Sequence, residues 1–159
     1  MRDFSIRPAT SGDSEQILGC LREAFEPFRA DYTESAFAAT VLSPESLRKR
    51  FSEMEILVAC RGDAQVFGTI SYCAANGEGR IRGMAVPPAL QGTGVALALL
   101  MRAQSSLQRL NCRVVTLDAT APLCRAIAFY ERNGFERTDS VASFFGMELL
   151  TYRKELLPK

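Results

Sequence analysis

Apolar and polar residues alternate over Phe4-Ser5-Ile6-Arg7, the period of a half-buried strand, and Pro8 then limits its hydrogen bonding. Behind it the period becomes helical. Ile17, Leu21 and Phe25 recur on one face, and Asp13 followed three positions on by Gln16 predicts a capping box. Pro27 interrupts the pattern. Residues 34–41 read as a short helix, and Ser43-Pro44-Glu45 opens another that carries Leu47 and Phe51. Residues 56–60 and 65–73 read as antiparallel strands joined by a turn at Arg61-Gly62-Asp63. Asn76-Gly77 supplies positive-φ residues for a second tight connection, into a strand over 80–86.

The meander then gives way to a crossover. Residues 95–107 are helical and an apolar strand over 113–118 returns after them, a unit whose strands normally pair in parallel. Another helix is predicted from about residue 121 to 132, with Pro122 in its first turn and Asn133-Gly134 at its end. Strands near 135–139 and 147–154 follow. The expected class is α/β, with antiparallel flanks and helices on both faces of a mixed sheet, in one domain over residues 1–159.

Composition narrows the chemistry. The chain has 159 residues, 47% hydrophobic and 23% charged, as soluble globular proteins do. Nineteen basic against eighteen acidic residues leave a formal charge of +1, so neither nucleic acid nor a membrane surface is an expected partner. The 5 cysteines include no C-x-x-C pair and fall mostly within apolar runs, which predicts reduced thiols and a cytoplasmic location. No long apolar stretch follows Met1-Arg2-Asp3-Phe4, and residues 95–101 fall far short of the ~20 that a bilayer needs, so neither export nor insertion is expected. Histidine is absent, which rules out a Ser-His-Asp or Cys-His device and a histidine metal site within this chain. No metal is expected, and proton transfer falls to carboxylate, tyrosine, thiol, lysine or water.

The most informative run is Met84-Ala85-Val86-Pro87-Pro88-Ala89-Leu90-Gln91-Gly92-Thr93-Gly94-Val95-Ala96. Consecutive prolines stop the strand near Val86, and the chain bends through two glycines into a helix. Unpaired N–H groups and the aligned peptide dipoles make such a helix start a natural phosphate site, and Gly92 and Gly94 let the ligand approach the backbone. A P-loop would need G-K-[ST], but no lysine lies between Lys49 and Lys154. A dinucleotide fingerprint would need glycine where Leu97 stands, although Asp118 imitates its ribose-binding acid. The remaining pattern is Q-x-x-G-x-A, met at Gln91, Gly94 and Ala96.

With this pattern the sequence resembles the GNAT superfamily of acyl-CoA-dependent N-acetyltransferases. Ala126-Ile127-Ala128-Phe129-Tyr130-Glu131-Arg132-Asn133-Gly134-Phe135 resembles the family's later A-x-x-x-Y-E-x-x-G-F block, in the expected order and on the expected elements. The resemblance covers about residues 4–154. It implies a GNAT-type sheet, mostly antiparallel with a central parallel pair, and acetyl-CoA as co-substrate. It further implies that the strand before the loop splays from its parallel neighbour, with Met84, Ala85 and Val86 against the pantetheine arm. Gln91, Gly92, Thr93, Gly94, Val95 and Ala96 would hold the pyrophosphate. A main-chain N–H near Met84 or Ala85 would polarise the thioester carbonyl. Gln91 and Thr93 are neutral where many relatives carry a cation, so a shallow salt dependence of coenzyme affinity is expected.

Tyr130 matches the family's tyrosine that protonates the departing thiolate; its helical stripe with Leu123, Ala126 and Ile127 is equally that of a core residue. For the base, many relatives carry glutamate where Arg80 stands here. Glu78 lies two residues toward the turn and Asp118 ends the neighbouring strand, and either carboxylate is also compatible with plain solvation. The family's asparagine in the later helix is replaced by Leu123. Phe25, Phe28, Tyr32, Phe144 and Phe145 would line an acceptor site, with Glu26, Asp31 or Glu34 available for a cation; packing of loops explains the aromatics equally well. Cys124 has no activating histidine and reads as a small apolar residue. The implied reaction is acetyl transfer to a small-molecule or peptide amine by direct attack in a ternary complex, and a homodimer is compatible with the sequence. The alternatives are an acyl-CoA-binding sensor or scaffold without catalysis and, from the loop alone, a nicotinamide-dependent oxidoreductase.

Overall fold

The computed structural model describes residues 3–62 and 65–156. Met1, Arg2 and Asp63, the last residue of the first predicted turn, lie outside the described residues. Strand β1 (Ser5–Pro8) leads into three helices, α1 (Ser14–Phe25), α2 (Glu34–Val41) and α3 (Pro44–Glu53). Strands β2 (Glu55–Arg61), β3 (Gln65–Ala75) and β4 (Glu78–Ala85) form the meander, and α4 (Val95–Arg109) crosses to β5 (Val114–Thr120). The chain closes with α5 (Cys124–Arg132), β6 (Glu136–Phe144) and β7 (Met147–Glu155). The order in the 7-stranded sheet is β1-β2-β3-β4-β5-β7-β6, with β4 and β5 as its parallel pair and the other neighbours antiparallel. This is the mixed α/β sheet expected from the periodicity.

Strand alternation divides the core in two. Tyr72, Ile81, Val115, Leu117 and Ala119 meet Leu99, Ala103 and Leu107 of α4 and Tyr130 of α5 on one face. Ile17, Leu21, Phe37 and Leu47 of the first three helices meet Ile56, Val58 and Cys60 on the other. Two glycines let α4 settle onto the sheet. A β-carbon at Gly68 would stand 2.9 Å from Val95, and one at Gly79 would stand 2.7 Å from Leu107. The start of α4 is therefore seated closely on β3 at Gly68 and its last turns on β4 at Gly79.

Two local expectations are corrected. Asp13 does not cap α1, because Arg7 of β1 takes its carboxylate through two hydrogen bonds of 2.8 and 2.9 Å, and its Oδ2 also accepts from the Thr10 N–H at 2.8 Å. Gln16 instead reaches across to accept from the Val66 N–H at 2.7 Å. The later helix begins at Cys124 rather than near residue 121. Pro122 lies before it, within a turn closed by Leu123 N–H to Thr120 O at 3.1 Å. That turn consumes the residues expected to form the first helical turn.

Asp13 is buried, its side chain 7% exposed, and the Arg7 guanidinium holds its pKa below the ordinary carboxylate value. A depressed folded-state pKa stabilises the fold above about pH 4, and the contribution is lost as pH falls through the folded-state value. Asp13→Asn should cost about 2 kcal/mol at neutral pH and flatten the acid limb of urea-derived stability below about pH 4. An unchanged acid limb would remove the assignment.

Candidate active site

The parallel pair is short. Glu78 to Ile81 lie opposite Val114 to Leu117, and beyond that row β4 and β5 run on unpaired with each other. Each is held on its other side. β7 stays paired with β5 through Thr120, while β3 pairs with Arg82 and then Ala85, an extra residue on β4 making a bulge at Gly83 and Met84. Gly83 has φ +60°, which is why glycine stands there. A wedge-shaped gap results, with main chain facing it from residues 82–85 on one side and 118–120 on the other.

At the end of β4 the chain turns through Pro87 and Pro88 into the glycine loop. Gly92 and Gly94 have φ of 82° and 92°, and Gly94 is the residue before the first turn of α4. Val95 and Ala96 occupy that first turn, whose N–H groups have no intrahelical acceptor. Gln91 donates its side-chain amide to Val86 O at 3.3 Å, and Thr93 bonds to Leu90 O. Both side chains brace the loop; the Gln91 N–H is itself taken by Pro88 O at 3.3 Å, so Gln91, expected to hold the ligand, shapes the loop instead and the amides from Gly92 onward are left to face a ligand. The gap and the loop are continuous, and together they suit an extended arm ending in a diphosphate.

One cation beside this loop escaped the sequence pattern. Arg125, in the first turn of α5, brings a guanidinium nitrogen within 3.9 Å of where a Gly92 β-carbon would stand. Its only signal was its place one residue before the Ala126 block.

The other expected site residues divide. Tyr130 is buried, in edge contact with Phe129 and Phe135 at 5.7 and 5.8 Å. Desolvation raises its pKa well above the ordinary phenol value. Its hydroxyl has no hydrogen-bond partner among the described residues, yet it is not sealed from solvent. Asp118 sits one residue past the last paired row, at the mouth of the gap. Its oxygens bond Arg80 of β4 and, at 2.8 Å, the Thr151 hydroxyl. Glu78 is exposed at the closed end of the pair, roughly 20 Å along the strand from Met84, and does not join the site.

On the face of α1 to α3, Tyr32 shares a 2.6 Å hydrogen bond with Thr120 at the end of β5, and Thr33 donates to Phe145 O at 2.7 Å. The segment after α1 is thereby tied to β5 and to the turn between β6 and β7, beside the gap. Tyr32 contacts Phe25 and Phe37 edge-on, whereas Glu26 is engaged by Arg29. Thr120 and Thr33 carried no motif. Cys124 is exposed, and its thiol donates to Ala121 O at 3.6 Å.

A short parallel pair that parts beside a glycine-rich helix start is the arrangement that the resemblance to the GNAT superfamily implies. A family model described as "Acetyltransferase (GNAT) domain" matches residues 14–156, and the chain belongs to that family. It is 27% identical over 140 residues to the spore coat polysaccharide biosynthesis protein SpsD of Bacillus subtilis (strain 168), covering 86% of this chain and 48% of that protein. The chain thus spans about half the length of that relative. It is 29% identical over 111 residues to the aminoglycoside N(6')-acetyltransferase type 1 of Stenotrophomonas maltophilia, covering 63% of this chain and 72% of that one. In fold it resembles the PaiA N-acetyltransferase of Thermoplasma acidophilum solved with coenzyme A, with a TM-score of 0.81 at 17% identity over 97% of this chain and 99% of that chain. Among the described residues no helix is long and apolar enough to cross a membrane.

Arg125 adds one fixed charge to a loop otherwise held by amide dipoles. Coenzyme A affinity should weaken with salt at a log–log slope of about one, and Arg125→Ala should flatten it. Calorimetric titration across a salt series checks this, and an identical slope in the variant contradicts it.

Proposed function

We propose that this chain transfers the acetyl group of acetyl-CoA to a primary amine by direct attack in a ternary complex. The observation that carries this reading is the parting of β4 from β5 next to the Gly92–Gly94 helix start. Met84, Ala85 and Val86 border the pantetheine arm, and the amides from Gly92 to Ala96 take the diphosphate, with the Gln91 side chain bracing the loop. The co-substrate supplies an activated thioester. The protein supplies alignment and oriented N–H groups near Met84 and Ala85 that stabilise charge on the carbonyl oxygen.

The amine nitrogen forms the new bond to the acetyl carbon as the carbon–sulfur bond breaks. One proton leaves the nitrogen and one is gained by the departing thiolate. Tyr130 donates a hydrogen bond to the departing sulfur, its buried phenol staying protonated, and the thiolate's proton is the one the amine gives up, relayed through water. Asp118, at the gap mouth, is the carboxylate placed to receive the amine's proton directly or through water. Its pair with Arg80 would be lost on full protonation, so it passes the proton on. That same pair is the specific feature favouring the second reading, a domain that binds acyl-CoA without turnover, because a cation stands where many relatives carry their base.

Amine-dependent thiol release by the purified chain separates the two. Release with any amine of a primary-amine panel supports transfer, and tight coenzyme binding without release supports the sensor. Within the transfer reading, Tyr130→Phe should lower kcat about 10- to 100-fold with little change in coenzyme affinity. The raised phenol pKa also predicts no descending limb from this group below about pH 10. An unaltered kcat would remove Tyr130 from the mechanism.

A further inference from the structure

Three arginines converge on the sheet face opposite α4. Arg80 and Arg82, two apart on β4, point to the same side, and Arg50 of α3 comes down onto them. With Glu53, Met54 and Cys73 they line a pocket of about 210 Å³. Arg80 is neutralised by Asp118. Arg50 and Arg82 form no ion pair and no side-chain hydrogen bond with any described residue. Glu53, one helical turn from Arg50, is exposed and also makes no ion pair among the described residues.

The approach of Arg50 is built into the backbone. Its Nη1 lies 2.6 Å from where a β-carbon on Gly83 would stand, so any side chain at that position would displace the guanidinium. Gly83 thus serves two needs, the positive φ of the bulge and the seat of Arg50. Burial first, and then the like charge of Arg82, lower the pKa of Arg50 from its ordinary value, against an opposing pull from Glu53. Glu53 is near enough to offset part of this charge but makes no ion-pair contact with either guanidinium, so the two are only partly compensated and a bound anion would relieve both.

Position makes this an acceptor site. Arg82 is the first β4 residue beyond the last row paired with β5, and Met84 stands about 7 Å further along the strand. An acid group on Arg50 and Arg82 therefore sets an amine a few bonds away beside the thioester. The pocket is smaller than the roughly 300–1,000 Å³ of drug-sized sites, which suits a compact acid on a short spacer. We infer that the acceptor is an anionic amine, a small primary amine bearing a carboxylate or phosphate that Arg50 and Arg82 hold. The inference rests on the acetyl-transfer reading for its reaction, while the anion site itself can be tested apart from turnover.

Thiol release is measured with matched amines, γ-aminobutyrate against butylamine for carboxylate and O-phosphoethanolamine against ethanolamine for phosphate. In at least one pair the anionic member should have the higher kcat/KM by about tenfold or more, and that pair identifies the acid. Arg50→Gln and Arg82→Gln should each reduce the anionic-to-neutral ratio about tenfold. Arg48→Gln, an exposed charge on α3, should leave the ratio at its wild-type value. A ratio at or below one in both pairs, or an equal fall in Arg48→Gln, overturns the proposal. Independently, with coenzyme A saturating the diphosphate loop, inorganic phosphate or glutarate at about 10 mM should raise the thermal midpoint of the wild type but not of the Arg50→Gln/Arg82→Gln double variant. Should no amine release thiol while coenzyme A binds, the transfer reading fails. The midpoint shift then decides the anion site alone, and no shift, or the same shift in the double variant, overturns it.

Discussion

Everything in this molecule follows from a parallel ladder that stops after four rows, Glu78–Val114 to Ile81–Leu117. Backbone groups taken out of a sheet need other partners, and an unpaired stretch in a sheet's centre is costly unless a ligand or water supplies them. The fold tolerates the gap because each strand is anchored from its far side, β4 by β3 through the bulge at Gly83 and β5 by β7 along its whole length. Arg80 and Asp118 tie the two strands at the point of parting. The glycine loop lies at the end of the same strand, so the geometry that opens the sheet also aims α4 at the opening.

The face opposite α4 is correspondingly polar where it borders the gap. Arg80, Thr116, Asp118 and Thr151 form one connected set, with Arg80 also donating to the Thr116 hydroxyl at 3.3 Å. A glutamate in place of Arg80 would present a free base, but it would leave Asp118 without its partner and add a like charge beside it. On this face Asp118 stands on β5 and Glu53 on α3, with three arginines on β4 and α3 between them. This excess of positive charge is what the proposed anionic acceptor would answer.

Much of this was legible in the sequence because it is local. Period-two and helical spacing located the strands and helices, Pro87-Pro88 ended β4, and two ordered motifs fixed the family. The misreadings came where a distant residue outcompeted a neighbour. Asp13 and Gln16 fit a capping box by spacing, but Arg7 and the Val66 N–H offered partners that periodicity cannot see. Pro122 suits a first helical turn, yet the chain needs that stretch to turn away from Thr120. Arg125 beside Gly92, Arg50 beside Gly83 and the Tyr32–Thr120 bond are meetings of residues far apart in the chain, without a pattern to announce them. Glu78 and Asp118 looked equivalent as isolated acids, and only the register of β4 against β5 separates the closed end from the mouth.

The amide resonances of an isotope-labelled chain titrated with coenzyme A report on the gap most directly. The account predicts that shifts concentrate at Met84 to Val86 and at Gln91 to Ala96, with the edge strand β6 and the exposed face of α3 unmoved. Shifts that spare both segments, or that centre on another face of the sheet, would contradict it.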